Sequence, residues 1–349
     1  METRVVREVG MPKLLAGAIC ATALFLSASA YALDGWRIEN TTPLAAKTPG
    51  FDYISYDAGT NKVFLGHRKE GLQVFDPATN KVVKIIDGTA EHSPNGALPI
   101  PEFDLGIVNN QDGTLTPFKL STLEAGEPIV IGHPIDTSHY DRSSKRIVVN
   151  VEAGKEGTDL VVVDVPSLKI AGTIPVPTKR AEHAQADGKG NFYLVSRDPA
   201  KVYRLNTKDM KITGEWPLSG CAQPTGLAVD AVNNRIFLGC RTSGDVKAVL
   251  AVVNADTGAI IYKGDIGNGN DGVVFDAPSK RIFASNSSAP NVNVFEQVDA
   301  DHYNPLDAIE TKPPVKVLAY DSKNQKLFTM GMEVANPASF VVLTLSKGK

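Results

Sequence analysis

A recurring aspartate constrains this chain more than any other feature. Five times the sequence runs from apolar residues into Asp, through a short polar turn, and out into a β-rich run. Tyr56-Asp57 leads to Lys62-Val63-Phe64-Leu65, Tyr140-Asp141 to Arg146-Ile147-Val148-Val149, and Val229-Asp230 to Arg235-Ile236-Phe237-Leu238. Phe275-Asp276 precedes Arg281-Ile282-Phe283, and Tyr320-Asp321 precedes Lys326-Leu327-Phe328; Asp187, before Asn191-Phe192-Tyr193-Leu194, is a sixth anchor. The spacings between successive anchors are 84, 46, 43, 46 and 45 residues, so the first interval holds two units. The worn unit sits near residue 100, where Gly106-Ile107-Val108-Asn109 and Gly113-Thr114-Leu115-Thr116-Pro117-Phe118 still read as strands. The total is seven units.

Each unit reads as four short strands, with turns such as Phe75-Asp76-Pro77-Ala78-Thr79-Asn80 and Asn254-Ala255-Asp256-Thr257-Gly258 between the outer two. A single small sheet cannot bury both faces until neighbours pack around a circle, and helical repeats of this length would need amphipathic runs that are absent. The last unit supplies three strands, whereas Trp36-Arg37-Ile38 is a strand without a unit. The expected fold is therefore all-β: a seven-bladed β-propeller of four-stranded blades over residues 33–349, closed by an N-terminal strand completing the last blade. Such closure removes sheet edges that invite aggregation.

Residues 1–32 read as a signal peptide. Lys13 introduces the apolar run Leu14–Leu26, and small residues follow, with cleavage placed after Ala30 or Ala32. The run is shorter than the roughly 20 residues of a membrane span, and Gly17-Ala18-Ile19 before Cys20 makes a poor lipid-attachment box. Export to the periplasm or medium is expected, with no membrane span after cleavage. Net charge is −3 for the whole chain and −4 without the leader, so composition offers no basic surface for nucleic acid or anionic lipid.

Cys221 and Cys240 remain after cleavage, an even number in an exported chain. Cys221 falls in the link into the fifth blade and Cys240 ends that blade's second strand. A structural disulfide is favoured over a metal pair or two free thiols, because no third sulfur or neighbouring histidine accompanies them.

Pro224-Thr225-Gly226-Leu227-Ala228-Val229-Asp230 with the two cysteines, Gly267-Asn268-Gly269-Asn270-Asp271-Gly272, and Leu160-Val161-Val162-Val163-Asp164 resemble the YncE-like, or YVTN-repeat, family of exported seven-bladed propellers. The resemblance covers the mature chain. It departs in the second blade, whose inner strand is poorly formed, and in the absence of a literal Tyr-Val-Thr-Asn. It implies the fold and export; the family's activities are mixed, and single-stranded DNA binding in part of it makes that an alternative function here.

In a propeller, the links into the inner strands and the loops between second and third strands share one face, where ligands usually bind. Five residues before the anchors stand Asp52, Asp136, Glu182, Thr225, Asp271 and Lys316. The carboxylates Asp52, Asp136, Glu182 and Asp271 are candidate ligands for a divalent cation; the alternative is that they cap loop N–H groups, with Lys316 neutralising part of the ring. The loops after the second strands add His67, Arg68, Asn150, Arg197, Arg241 and Asn286, making a polar funnel. His183 beside Glu182 and His139 near Asp136 admit a histidine–carboxylate pair, although isolated histidines are more often packing residues.

Gly267–Gly272 satisfies G-x-G-x-x-G but runs into the strand Val273-Val274-Phe275, whereas a dinucleotide fingerprint must open a helix. Nucleophile-elbow, P-loop and H-E-x-x-H motifs are absent. Two tryptophans, Trp36 and Trp216, are too few for a quinone-binding propeller. The expected function is an exported, monomeric, non-catalytic scaffold binding a ligand or protein partner at the funnel, with a metal-dependent hydrolase or lactonase as the alternative.

Overall fold

The computed structural model describes Met1 and residues 35–151, 158–332 and 339–348. The chain divides into Met1–Tyr31 and Ala32–Lys349. The leader, with Lys13, Leu14–Leu26 and Cys20, lies outside the described residues, and among the described residues no helix is long and apolar enough to cross a membrane.

Ala32–Lys349 folds as seven antiparallel sheets. The first strands of blades 1 to 7 are Phe51–Asp57, Pro94–Ile100, Ile135–Asp141, Arg180–Ala186, Ala222–Asp230, Asn270–Asp276 and Val315–Asp321. Each touches the first strands of the blades before and after it, and the seventh returns to the first, so these strands form the inner ring. Blade 7 takes its outermost strand from Trp36–Ala45, paired antiparallel to Ser339–Lys347. The expected closure is present. The outer position of blade 6 is divided between Tyr303–Pro305 and Ile309–Glu310.

The core is a set of wedges between blades. Seven apolar clusters occur, each built from two neighbouring blades. An aromatic at the start of five of the second strands supplies much of this burial: Phe64, Phe192, Phe237, Phe283 and Phe328 are all fully enclosed. Close packing also demands small residues. A Cβ on Gly66 would lie 1.9 Å from the Asn95 carbonyl oxygen of blade 2, and one on Gly239 would lie 1.8 Å from Asn270 Oδ1 of blade 6.

The anchor aspartates end the inner strands on the face opposite the funnel. Each accepts backbone N–H groups of its own turn, as Asp57 does from Gly59 and Thr60 at 3.2 and 3.0 Å. Most also accept a bond from the next blade. Gln297 Nε2 donates to Asp230 at 2.8 Å, Ser322 Oγ to Asp276 at 2.6 Å, and Tyr56 OH to Asp321 at 2.9 Å; Thr207 donates to Asp141. The repeat thus carries a ring of turn-forming, blade-joining carboxylates, which explains why aspartate marks the period.

Blade 2 lacks the anchor because its turn is different. Its inner strand is formed, contrary to expectation, and pairs along its length with Leu105–Asn110. A single 3-10 turn, Pro101–Phe103, then replaces the aspartate turn, and Glu102 accepts the Tyr140 hydroxyl of blade 3.

Candidate functional site

At the funnel face, acidic and basic side chains arrive from different elements. The carboxylates stand near the starts of inner strands, as does Arg180; Arg68, Arg197 and Arg241 lie near or just past the ends of second strands. Asp52 is bound by Arg68, from its own blade, and by Lys316 of blade 7. Arg68 Nε continues to Asn95 Oδ1 of blade 2 at 2.7 Å. Glu182 Oε1 accepts from Arg180 Nε at 2.9 Å and Arg197 Nη1 at 3.2 Å. Arg241 of blade 5 binds Asp271 of blade 6 and donates from Nε to the Asn270 carbonyl at 2.8 Å. Asp136 accepts the Tyr53 hydroxyl at 3.1 Å.

At two of the acids the charge signs lie at different depths. Side chains of Asp52 and Glu182 are 6% exposed, whereas Arg68, Lys316 and Arg180 are 42%, 44% and 63% exposed. Arg197 and Arg241, at 17% and 18%, lie close to the depth of Asp271 at 14%. The carboxylates of Asp52, Glu182 and Asp271 engage cationic side chains, and among the described residues no three His, Cys, Asp or Glu side chains form a group that could hold a metal ion.

Below the charged layer, Tyr53 of blade 1 reaches the middle of the ring. Its ring centroid is 5.4 Å from that of His183 of blade 4, and His139 of blade 3 follows at 6.2 Å. Burial, then the nearby Asp136, Asp52 and Glu182 charges, push the Tyr53 hydroxyl well above its usual pKa. Burial and the neighbouring His183 lower His139 to about 3, and its Nε2 accepts the Ala184 N–H at 3.2 Å. Burial also lowers His183. Both imidazoles are neutral packing groups near pH 7, and Glu182 points to arginines rather than to His183. The histidine–carboxylate pair is not assembled.

Two residues placed at the funnel are structural. His67 is fully buried, with Nε2 2.9 Å from the Thr48 carbonyl and Nδ1 accepting the Glu70 N–H at 3.1 Å. Asn286 is fully buried and donates to Asn291 Oδ1 and Asn293 Oδ1 at 2.7 and 2.8 Å. Asn150 is buried too and reaches the Glu182 carbonyl at 3.4 Å.

Sequence reading missed Gln223 and Arg180. In blade 5, Ala222 pairs with Arg241 and the next pair is Gly226 with Gly239, so residues 223–225 bulge opposite Cys240. Gln223 adopts φ 43°, a left-handed conformation costly for a residue with a side chain. The bulge aims its Oε1 at Arg197 Nη2, 3.2 Å away. Cys221 and Cys240 flank it, joined as a buried disulfide with Cα atoms 5.2 Å apart. Arg241 follows directly. Burial, then the positive charge of Arg197, lowers Arg241 to about 10, with Arg180 adding to the effect.

Beside them, between blades 3 and 4, lies a cleft of about 260 Å³ lined by Asp136, Asn150, Thr158, Lys179 and Arg180 among others.

No protein-family profile matches this chain. No curated protein matches it either. Among solved structures, a chain in the crystal structure of the mitotic checkpoint complex superposes with a TM-score of 0.72 at 12% identity, covering 99% of this chain and 100% of that one. The likeness is one of fold, the β-propeller.

Proposed function

We propose that this chain is an exported, periplasmic or secreted propeller of the YncE-like kind, a non-catalytic monomeric scaffold that takes an anionic partner at its funnel face. One observation carries the reading: Asp52 and Glu182 are buried and already bound, while Arg68, Lys316 and Arg180, which bind them, extend outward. Guanidinium groups fixed along one edge keep other N–H donors directed outward, and fixing them in advance lowers the entropy lost on binding. The scaffold's overall charge is acidic, so attraction is confined to this face.

The test is titration of the purified chain with poly-L-glutamate at low and high salt. Binding that weakens as salt rises, and that falls at least about tenfold in the variant Asp52→Asn/Arg68→Gln/Lys316→Gln, supports the reading. Removing Asp52 together with its partners avoids leaving a buried charge unpaired. Absence of binding, or equal binding by the variant, would overturn it. Tighter binding of single-stranded DNA than of poly-L-glutamate would favour the nucleic-acid alternative.

A further inference from the structure

Resting on the reading that the funnel takes anions, the three arginines and the adjoining cleft define a narrower ligand. Arg180 and Arg197 meet on one oxygen of Glu182, and Arg241 is joined to them through the bulge, where Ala222 pairs with Arg241 and the next residue, Gln223, accepts Arg197 Nη2. Arg241 engages Asn270 and Asp271 through Nε and Nη2, and among the described residues no hydrogen bond engages its Nη1. Arg180 donates to Glu182 through Nε, and its side chain is 63% exposed. Arg180, Arg197, Arg241 and Lys179 carry four positive charges against the three of Glu182, Asp271 and Asp136, which leaves the site net positive for an anion.

Donors arriving from three side chains suit a tetrahedral group better than a planar carboxylate. The strained Gln223 and the Cys221–Cys240 bridge hold this arrangement rigid. Arg180 also lines the cleft of about 260 Å³, where Asp136, Asn150 and Thr158 offer acceptor, amide and hydroxyl groups. That volume lies below the roughly 300 Å³ at which drug-sized pockets begin, and among the described residues no aromatic side chain lines it for a base to stack on.

We propose that Arg180, Arg197 and Arg241 hold the phosphate of a small phosphorylated polyol whose hydroxyl groups occupy the cleft between blades 3 and 4.

Calorimetric titration of the full chain with glucose 6-phosphate, inorganic phosphate and glucose tests this. The expected result is a Kd of about 1 mM or tighter for glucose 6-phosphate, binding at least about tenfold weaker for phosphate, and none for glucose. Arg180→Gln leaves Arg197 on Glu182 and should weaken glucose 6-phosphate at least about tenfold, with the paired change Arg241→Gln/Asp271→Asn as a second variant and thermal midpoints confirming the folding of each. Thr158→Val should narrow the preference for glucose 6-phosphate over phosphate. Equal affinity for glucose 6-phosphate and phosphate, or no loss in folded Arg180→Gln, overturns the proposal. Poly-L-glutamate binding without glucose 6-phosphate binding overturns it and leaves the funnel reading standing; binding of neither probe overturns both.

Discussion

Removal of the Cys221–Cys240 bridge is a severe but interpretable perturbation. The cysteines are 19 positions apart, and the bridge joins the start of blade 5 to its second strand. Closing a loop of about 20 residues removes conformational freedom from the unfolded chain equivalent to roughly 3 kcal/mol. Both sulfurs lie in the apolar cluster between blades 4 and 5, with Val195, Leu218, Leu227 and Val249, so alanine is a better replacement than serine. Cys221→Ala/Cys240→Ala should lower stability by about 3 to 5 kcal/mol, the upper end including the small cavities left behind. Urea unfolding followed by tryptophan fluorescence reads this directly, because Trp216 packs against the same cluster. Reductant should destabilise the native protein by a similar amount and leave the double variant unchanged. A loss below about 1 kcal/mol would refute the loop-entropy argument, and equal sensitivity of the variant to reductant would refute the role of the bridge.

Gly66→Ala should cost roughly 2 to 3 kcal/mol, since its Cβ would meet backbone of the next blade at 1.9 Å; differential scanning calorimetry checks it, and an unchanged midpoint would contradict the packing. Trp36 is buried with its ring 4.9 Å from that of Phe283, so Trp36→Ala should destabilise by about 3 to 5 kcal/mol and raise proteolytic release of the N-terminal strand. His139 has a folded pKa depressed to about 3, so the unfolded state takes up its proton first as pH falls below about 6.5. Its contribution is complete above that value and falls by about 2 kcal/mol at pH 5, and His139→Gln should flatten the pH dependence of the urea midpoint in that window. Burial raises the Asp141 carboxyl, but hydrogen bonds from Thr207, Ser143 and Ser144 outweigh it and hold the group below its usual pKa. That stability is present above the unfolded pKa and lost as pH falls through the folded one, so Thr207→Val should reduce stability at pH 7 more than at pH 3.

The fold was legible because its repeat is local: Asp57, Asp141, Asp230, Asp276 and Asp321 each shape their own turn, and that requirement leaves a period in the sequence. Blade 2 was faint for the same reason, since Ile100 holds the anchor position there and a 3-10 turn follows it. Ring closure was legible from the surplus strand at Trp36. The site was less so. Spacing placed Asp52, Glu182, Asp271, Arg68, Arg197 and Arg241 on one face, but depth and pairing arise between blades, as when Lys316 reaches Asp52 across the closure. His67 and Asn286 share the positions of funnel residues, yet their side chains turn into their own loops. Gln223 left no signal beyond its place beside Cys221, because a bulge depends on which residues of two strands pair.

The account rests on the funnel being the anion-binding face. Hydrogen exchange of the chain with and without poly-L-glutamate locates the contact directly. The expected result is added protection in the segments around Arg68, Arg180, Arg197 and Arg241, with none in the aspartate turns around Asp57, Asp141 and Asp230. Protection confined to those turns, where Lys189 and Lys208 border the opposite cleft, would contradict it.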